Sequence, residues 1–466
     1  MRAVTCEEKM MTKAQQLAEF ITSRKYKDLS EAAVEQLKIR VLDSLGCAIG
    51  ALDGEPIAMI REQIGEFGEA GSCTLIGGGC TSSDRAALYN SALVRYLDFN
   101  DSYLAKGETC HPSDNLGAVL AASEYAGASG RDFLLALAVS YQVQCRLSDV
   151  APVRARGFDH TTQGSYAVAA GVSKVLGLDA GKTAHAIAMC GSVFNALRVT
   201  RTGALSHWKG IAYPNTAFCC MNAVFLAMRG ITGPLQVFEG NKGFMDSISG
   251  RFEIDWSKED LGKVIDTAIK KYNAEVYSQS AIEGILELRS EHDLRAEHVE
   301  RIEIDTFDVT FHIIGGGEEG DKKKVRLKEE ADHSLPYMIS VAILDGQLMP
   351  GQYETNRIGR SDVQSLLRKV LVRPSDEMSS RFPYSMPCRI CVLLKNGSIL
   401  SKEKLDYEGY LSRPMEWAGV VEKFNTLSAE KAKKSIRENI VSAVQNLDSI
   451  GIRGLTNLLG NLGDWK

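Results

Sequence analysis

The sequence of 466 residues lacks a long hydrophobic run: no stretch approaches the 18 uncharged apolar residues of a membrane-spanning helix. Its start also lacks the uninterrupted hydrophobic core of a signal peptide, because Glu7, Glu8, Lys9 and Lys13 are distributed through residues 1–16. The 11 cysteines are odd in number and do not have the spacing of a disulfide framework. We therefore expect a reduced, cytoplasmic protein that has no membrane partner.

Motifs for common cofactors and metals are missing as well. The glycine triplets at residues 77–79 and 315–317 form neither GxGxxG nor a P-loop, and there is no HExxH. Cys388 and Cys391 make a single CxxC pair on a predicted strand, where residues three apart point to opposite faces. The cysteines do not resemble an iron–sulfur ligand set. Any dehydration of a hydroxy acid would therefore have to use protein side chains.

The net charge of −5 argues against nucleic acid or an anionic membrane as the main partner. The charge is unevenly distributed, however. Between residues 146 and 209, eight basic residues are opposed by only three acidic ones. Such a segment can be a solvated basic face, and it fits a polyanionic small molecule at least as well.

The first 270 residues have mostly helical patterns. Ser30 is a good N-cap for a helix with one apolar face. Four later segments are apolar nearly all round and rich in Ala, Gly and Ser, which predicts closely packed, buried helices. They are residues 133–143, 166–175, 184–193 and 217–228.

The pattern changes near Tyr272. Residues 299–307 alternate apolar and polar side chains as a half-buried strand does. Residues 395–398 contain the Asn-Gly turn of a hairpin. Helical patterns at residues 334–344 and 361–370 lie between them, so this region is predicted to be an α+β domain.

Helical patterns return after residue 414, with a helix predicted to start at Ser428. The fold class is therefore mainly α. We predict a large all-helical bundle domain of residues 1–271 and 410–466, with an inserted, smaller α+β lid domain of residues 272–409. The glycine-rich and charged segment 315–324 is predicted to be a mobile surface loop.

Residues 95–117 place polar side chains between two hydrophobic helices. Asp98 is expected just past a helix end, His111 lies in the following loop, and Ser113 and Asp114 occupy the N-cap position of the next helix. Free N–H groups at a helix start favour an anion, and a carboxylate with an imidazole nearby suits acid–base work. An ordinary capped helix–loop–helix is the alternative interpretation.

Four further segments place polar side chains before buried helices or at the predicted domain junction. Each also has an ordinary structural explanation. His160 could cap a helix or lie in the core, and residues 197–210 could form a basic surface loop. Residues 332–337 could simply cap a helix, and Arg413 could be solvent-exposed.

Taken together, these segments resemble the MmgE/PrpD family over nearly the whole chain. The matching motifs, in the family's order, are LDFND and HPSDN, FDH, LRxxR with SHWKG and YPN, ADHSLPYM, AILDG and GYxxRP. The resemblance implies a helical domain with a smaller α+β lid, a homodimer, and chemistry that needs no metal or organic cofactor. Known members include 2-methylcitrate dehydratase, cis-aconitate decarboxylase and iminodisuccinate epimerase.

The resemblance also implies site residues. The catalytic positions would be Asp98, His111, His160, Lys209 and Tyr337. The substrate-binding positions would be Ser102, Asn115, Arg198, Arg201, Tyr277 and Arg413. The chain departs from the family pattern at Ser102, where Thr is usual, and at Tyr277, where many members carry histidine. The second departure implies either a different proton carrier or a different substrate.

The chemistry that the family shares is removal of a proton, or of CO2, next to a carboxylate. Lys209 and the arginines would supply fixed positive charge where charge develops. His111 and His160 are the candidates for base and acid, with no assignment between them, because histidine titrates near neutral pH. Asp98 would orient an imidazole or act as the base, and Tyr337 would donate a proton to the departing oxygen.

Several reactions fit these residues. HPSDNLG and DHSLPYM favour dehydration of 2-methylcitrate to 2-methyl-cis-aconitate, a reaction of propionate catabolism. A cis-aconitate decarboxylase-like reaction, which forms itaconate, needs the same cationic pocket, and an iminodisuccinate epimerase-like enzyme could use two histidines on opposite faces. The alternative from a different class is a non-catalytic tricarboxylate-binding protein, although binding alone would need cations and no proton carriers.

Overall fold

The computed structural model describes residues 11–68 and 71–463. The prediction that the chain has no signal peptide concerns residues 1–16, of which residues 1–10 lie outside the described part. The helices of seven or more residues in that part are, in chain order, α1 (Lys13–Ser23), α2 (Glu31–Gly50), α3 (Glu55–Glu66), α4 (Ser83–Tyr96), α5 (Leu116–Ala126), α6 (Gly130–Val150), α7 (Thr161–Val175), α8 (Ala180–Val193), α9 (Trp208–Met228), α10 (Gln279–His292), α11 (Leu335–Asp345), α12 (Ser361–Leu367), α13 (Trp417–Ser428), α14 (Lys434–Gln445) and α15 (Ile452–Leu459).

The helices before residue 230 form where the apolar patterns predict them. Ser30 caps α2, since its Oγ accepts a hydrogen bond from the Ala33 backbone N–H at 3.1 Å. The predicted all-round apolar segments lie in α6 to α9, and those of α6 and α7 are buried almost throughout. Small residues allow close approach: a Cβ at Gly164 of α7 would lie 2.3 Å from the Tyr213 ring on α9. Mainly α is therefore confirmed as the fold class.

Helix α9 is long and apolar enough to cross a membrane by length and composition alone, which the sequence patterns had not indicated. In this structure, however, 61% of its apolar window is buried inside the protein. Its first turn also contains the buried side chain of Lys209. A helix in the core of a bundle has these properties.

Within residues 11–68 and 71–463, eight strands form three small sheets. Two are hairpins, β1 (Cys73–Thr74) with β2 (Cys80–Thr81) and β3 (Tyr103–Ala105) with β4 (Glu108–Cys110). The third has the order β6-β5-β7-β8, in which β5 and β6 are parallel and the other pairs are antiparallel. Its strands are β5 (Val299–Thr306), β6 (Val370–Pro374), β7 (Cys388–Leu394) and β8 (Ile399–Lys404).

The strand at residues 299–307 and the Asn-Gly hairpin are confirmed, but two predicted boundaries are wrong. The helix predicted at residues 361–370 ends at Leu367, because the chain turns there to enter β6 at Val370. The helix predicted to start at Ser428 begins at Lys434, because Ser428 is the last residue of α13.

Two large hydrophobic cores, and one small cluster of Tyr103, Ala105, Cys110 and Cys145, are formed by the described residues. One large core is built from residues between 14 and 269 and between 415 and 462, and the other from residues between 268 and 410. Buried polar contacts join the segments at the junction: Lys423 Nζ of α13 lies 2.7 Å from Asp43 Oδ1 and donates to the carbonyls of Phe99 at 2.8 Å and Lys270 at 2.9 Å. The predicted domain boundaries, and movement of the second core as a lid, stay predictions.

Candidate active site

A small buried cavity of about 30 Å³ lies where residues of the first core meet residues of the second. The first core contributes cations and histidines from the segments around α4, α5, α7 and α9, and the second contributes residues before α10 and α11. The cavity is lined by Arg95, Asp98, Thr109, His111, Arg154, His160, Arg198, Arg201, Glu275, Tyr277, Ile313 and His333. Six of the predicted site positions are therefore brought together: Asp98, His111, His160, Arg198, Arg201 and Tyr277.

Asp98 follows the end of α4 and is surrounded by positive charge. Its backbone has a φ of 55°, in the left-handed region that Asp tolerates better than most residues. Arg95 Nη1 and Lys270 Nζ each lie 2.7 Å from Oδ1, and Lys209 Nζ lies 3.3 Å from Oδ2. Burial disfavours the charge of this carboxyl, but Arg95, Lys270 and Lys209 outweigh burial and hold the pKa of Asp98 well below its usual range. Asp98 is therefore a fixed carboxylate at neutral pH.

The loop after Asp98 is held by buried hydrogen bonds and not by a capped helix. Ser113 and Asp114 lie in a 3-10 turn, Pro112–Asn115, and no side-chain hydrogen bond caps α5, so the predicted N-cap is wrong. Ser113 Oγ instead donates to Asp101 Oδ1 at 2.6 Å, and Asn100 Nδ2 donates to Asp114 Oδ1 at 2.8 Å. Burial raises the pKa of Asp114 to about 7.

His111 has a defined tautomer. Its Nδ1 lies 2.7 Å from the Asp101 backbone oxygen, which can only accept, so Nδ1 carries the proton and Nε2 carries the lone pair. Ser102 Oγ contacts the same Nδ1 at 3.1 Å. The ring of His160 packs edge-on against that of His111, with 5.3 Å between centroids. Burial lowers the pKa of both histidines well below the ordinary value, so both are neutral at pH 7.

Arg198 and Arg201 bring further positive charge to the lining. Arg201 Nε donates to Asp159 Oδ2 at 2.5 Å, and Arg198 Nη2 donates to Glu319 Oε1 at 2.6 Å. Burial disfavours a charged Asp159, yet Arg201 beside it holds the pKa of that carboxyl well below its usual range. Several buried nitrogens of the lining have no hydrogen-bond partner among the described residues: Arg95 Nε, Arg154 Nε, Arg198 Nε, Arg201 Nη2 and both ring nitrogens of His160.

Unpaired buried donors of this kind are costly unless a ligand satisfies them. They converge on one cavity, and most of them carry positive charge. The arrangement is suited to an anion with several oxygen atoms, because guanidinium groups bind carboxylates with strong, charge-assisted hydrogen bonds. Glu319 comes from the segment predicted to be a mobile surface loop, but its side chain is packed against Arg198.

Lys209 lies beside the cavity and links three acidic and basic groups. Its Nζ is 2.6 Å from Asp332 Oδ1, 2.8 Å from His333 Nδ1 and 3.3 Å from Asp98 Oδ2. Asp98, Asp332 and His333 offer ligand atoms within 4.8 Å of one another, a spacing that could hold a metal ion. The Lys209 ammonium already lies within 3.3 Å of all three residues, so it supplies the positive charge that such a cluster requires. Burial and the neighbouring Lys209 lower the pKa of His333 to about 3.

Two predicted site residues lie outside the lining and contact the segment around His111. Ser102 contacts His111 Nδ1, as described above, and helps to orient the ring. Asn115 Nδ2 donates to the Pro112 carbonyl at 2.8 Å and to Gln144 Oε1 at 2.7 Å, while Asn115 Oδ1 accepts from Tyr213. Asn115 therefore fixes the turn that follows His111, and it is not among the residues that line the cavity.

Two others are placed away from the cavity. Tyr337 is fully buried in the second core, and its hydroxyl donates to the Gln352 carbonyl because a buried hydroxyl needs a partner. Arg413 is 44% exposed and pairs with Glu283 at 2.9 Å and Asp406 at 3.1 Å. Neither residue lines the cavity, so the structure does not support the proton-donor role of Tyr337 or the substrate-binding role of Arg413.

Five polar residues of the lining are not among the predicted site positions: Arg95, Thr109, Arg154, Glu275 and His333. Arg154 belongs to the basic segment 146–209, and His333 belongs to the motif at residues 332–337. The sequence therefore contained a signal for both residues. Arg95 could have been found from its position in the last turn of α4, three residues before Asp98. Thr109 and Glu275 gave no signal, because only the tertiary fold brings them to the cavity. Tyr277, the departure from the family pattern, hydrogen-bonds through its hydroxyl to Thr109 Oγ1.

A larger cleft of about 700 Å³ also lies between the two cores. Its charged lining is mainly acidic, with Asp53, Glu55, Glu329, Glu354 and Glu430 against Lys328 and Lys431. Such a surface repels a polycarboxylate. The chemistry suited to an acid is therefore in the small cavity.

Comparisons with known proteins agree with the motifs. The family model described as MmgE/PrpD N-terminal domain matches residues 15–257, and the one described as MmgE/PrpD C-terminal domain matches residues 272–449. The two matches together cover most of the chain.

Relatives of two activities are similar to the chain. Cis-aconitate decarboxylase of Mus musculus is 25% identical over 95% of this chain and 92% of its own length. The protein named 2-methylcitrate dehydratase, mitochondrial, of Yarrowia lipolytica is 27% identical over 88% of this chain and 82% of its own length. The 2-methylcitrate dehydratase of Escherichia coli (strain K12) is 27% identical over 74% of each chain.

Proposed function

The chain belongs to the MmgE/PrpD family, and on that premise we propose that it is a lyase for a small di- or tricarboxylic acid. The reaction that we propose is the elimination of water from 2-methylcitrate, which gives 2-methyl-cis-aconitate. Relatives named 2-methylcitrate dehydratase support this proposal. In this proposal the chain is an enzyme of propionate catabolism that needs neither a metal nor an organic cofactor.

The observation that carries the proposal is that one cavity is lined by arginines with nitrogens that make no hydrogen bond and by neutral imidazoles. Cations alone would suffice to bind a polycarboxylate. Neutral histidines add proton carriers, which a binding protein has no need for. The site is therefore better suited to catalysis than to transport or storage of the acid.

In the proposed reaction, the guanidinium groups of Arg154, Arg198 and Arg201 bind substrate carboxylates. Negative charge develops on one carboxylate as the adjacent C–H bond breaks, and the fixed cations stabilise it. His111 Nε2 takes the proton, since its tautomer leaves that nitrogen with a lone pair. Bound carboxylates raise the pKa of His111, because an anion nearby favours the imidazolium form.

The cavity of about 30 Å³ has room for about one water molecule and not for a tricarboxylate. We therefore propose that the second core acts as a lid and moves away from the first when substrate enters. The remaining expectations from the family resemblance, a cytoplasmic homodimer without a nucleic-acid or membrane partner, are part of the same proposal.

Decarboxylation of cis-aconitate is the second candidate, because a relative of that name aligns with 95% of the chain. Decarboxylation needs the same cationic groups to bind the substrate carboxylates, but it breaks a C–C bond in place of the C–H and C–O bonds. The geometry is less favourable to epimerisation, since His111 and His160 pack against each other and do not face each other across the cavity.

The test is product analysis with the purified protein. We expect 2-methylcitrate to give an unsaturated product, seen as rising absorbance at short ultraviolet wavelengths, with slower or no reaction of citrate, cis-aconitate and iminodisuccinate.

Arg201→Gln should raise KM by about 10- to 100-fold, because one charge-assisted hydrogen bond to the substrate is lost. Arg413→Gln is the matched control and should leave the kinetics nearly unchanged, because Arg413 pairs at the surface.

Release of CO2 from cis-aconitate in place of dehydration would move the assignment to the decarboxylase. Reaction with none of the four acids would contradict the proposed function.

A further inference from the structure

The elimination proposed above leaves one chemical requirement unmet. A hydroxide ion is a poor leaving group, so an acid must protonate the departing hydroxyl. Tyr337 cannot reach it, since its hydroxyl is bonded to the Gln352 carbonyl outside the cavity. His111 and His160 are neutral, and a neutral imidazole is a weak acid. Another proton donor must therefore face the substrate.

Glu275 and Asp98 are the two carboxyl residues of the lining, and their charge environments differ. Glu275 lies directly before the turn Val276–Ser278, with 7% of its surface exposed. Its Oε2 accepts from the Tyr277 backbone N–H at 2.7 Å, and its own N–H donates to the Asp332 carbonyl at 3.2 Å. Among residues 11–68 and 71–463, its side chain accepts no other hydrogen bond and has no ion-pair partner within 4.0 Å.

Asp98, in the same lining, contacts three cations within 3.3 Å. The two carboxyls therefore have opposite surroundings: one is neutralised by partners and the other is desolvated without a counter-ion. Pairs of acids whose surroundings separate their pKa values are how enzymes divide acid and base roles.

The charges around Glu275 are mixed. Burial raises its pKa, Asp98 raises it further, and Lys270 and Arg154 lower it, with a result of about 7. The titratable and charged groups that face it from the neighbouring elements are Lys270, Asp98, Arg154, Lys322, Tyr277, Tyr407, Asp332 and His333. Substrate carboxylates add negative charge to this environment, which keeps the proton on Glu275 until the reaction consumes it.

We propose that Glu275 is the catalytic acid, whose carboxyl protonates the hydroxyl that leaves the substrate while His111 accepts the proton from the adjacent carbon. This inference rests on the proposed dehydration. The C–H electron pair becomes the new C=C bond, and the C–O pair leaves with the oxygen as water. Glu275 ends as a carboxylate and His111 as an imidazolium, and exchange with solvent after product release returns both to their starting states.

Glu275→Gln tests the proposal, because glutamine keeps the size of the side chain and cannot release a proton. We expect kcat to fall by about 100-fold, the lower range for loss of a general acid, with KM changed by less than about threefold. Wild-type kcat should fall as pH rises and Glu275 loses its proton, and this alkaline limb should be absent in the variant. Glu275→Asp should recover part of the rate and the alkaline limb.

Glu124→Gln is the matched control, since Glu124 is also buried but hydrogen-bonds to Thr74 and Thr456, which do not line the cavity. It should retain both the wild-type kcat and the wild-type pH profile. A Glu275→Gln enzyme with wild-type kcat and an intact alkaline limb would overturn the assignment.

An infrared measurement separates failure of this inference from failure of the proposed function, because it needs no substrate. Difference spectra between about pH 5 and about pH 9 should show a protonated carboxyl band that Glu275→Gln loses. Asp114 contributes equally to both proteins and cancels. Identical spectra from wild type and variant would overturn the acid role even if the protein dehydrates 2-methylcitrate. The band with no turnover of any acid would support a proton donor at Glu275 and contradict only the dehydratase.

Discussion

Lys209→Met should both destabilise the protein and inactivate it. The substitution leaves the buried Asp332 with Lys328 as its remaining ion-pair partner and removes the ammonium that lies 2.6 Å from one carboxylate and 3.3 Å from Asp98. Breaking a buried ion pair in this way costs about 3–5 kcal/mol of unfolding free energy. We expect turnover to fall by about 1,000-fold, because a fixed positive charge beside the cavity is lost.

A double variant separates the two effects. Lys209→Met with Asp332→Asn removes one cation and one anion together, so most of the lost stability should return. Turnover should not return, since the positive charge beside Asp98 and His333 is still missing. Urea unfolding and steady-state kinetics on the same preparations give both quantities. Wild-type turnover in the double variant would show that Lys209 contributes to folding alone.

His111→Ala should abolish turnover, with a loss of about 10,000-fold, while the protein still folds and binds the acid. The upper end of the range for a general base applies, because the base acts on a weakly acidic carbon. Loss of the hydrogen bond from Nδ1–H to the Asp101 carbonyl costs about 1–3 kcal/mol. Kinetics, thermal melts and calorimetric titration with the acid measure the three properties.

Two controls make the His111 result specific. His185→Ala removes a histidine of α8 whose Nδ1 accepts a hydrogen bond from the Gly233 backbone N–H, and it should leave turnover unchanged. The space left by His111→Ala should also allow added imidazole to restore part of the rate. An enzyme that keeps its rate without His111 would remove this residue from the mechanism.

The helical part of the fold was predictable because its signals are local. Caps such as Ser30 and apolar patterns in α6 and α7 depend on residues close together in the chain. The parallel strand β6 was missed for the opposite reason. Its partner β5 lies about 70 residues earlier, and its short pattern of alternating burial was read as a continuation of α12.

Part of the candidate site was predictable, because its charged and histidine side chains belong to recognisable sequence motifs. Asp98, His111, His160 and the two arginines Arg198 and Arg201 were found in this way, and the structure brings them to one cavity. Position within a motif did not reveal where a side chain points. Tyr337 belongs to a site motif, yet packing in the second core takes its hydroxyl to the Gln352 carbonyl.

Glu275 illustrates the opposite case. A glutamate in a short polar segment is ordinarily a surface residue, and nothing in the segment marks it otherwise. Its significance comes from three facts of the fold: burial, a place in the same lining as Asp98, and the absence of an ion-pair partner within 4.0 Å among the described residues. Charge environment is a tertiary property that a single sequence does not display.

In the proposed reaction, a proton is removed from a carbon next to a carboxylate, with His111 as the base. Turnover in D2O, followed by nuclear magnetic resonance in the direction of water addition to 2-methyl-cis-aconitate, detects this transfer. We predict that the wild-type protein places one solvent deuterium stereospecifically on the carbon next to the carboxylate, and that His111→Ala, which still binds the acid, places none. Stereorandom labelling by the wild type, or labelling by His111→Ala at the wild-type rate, would contradict the account.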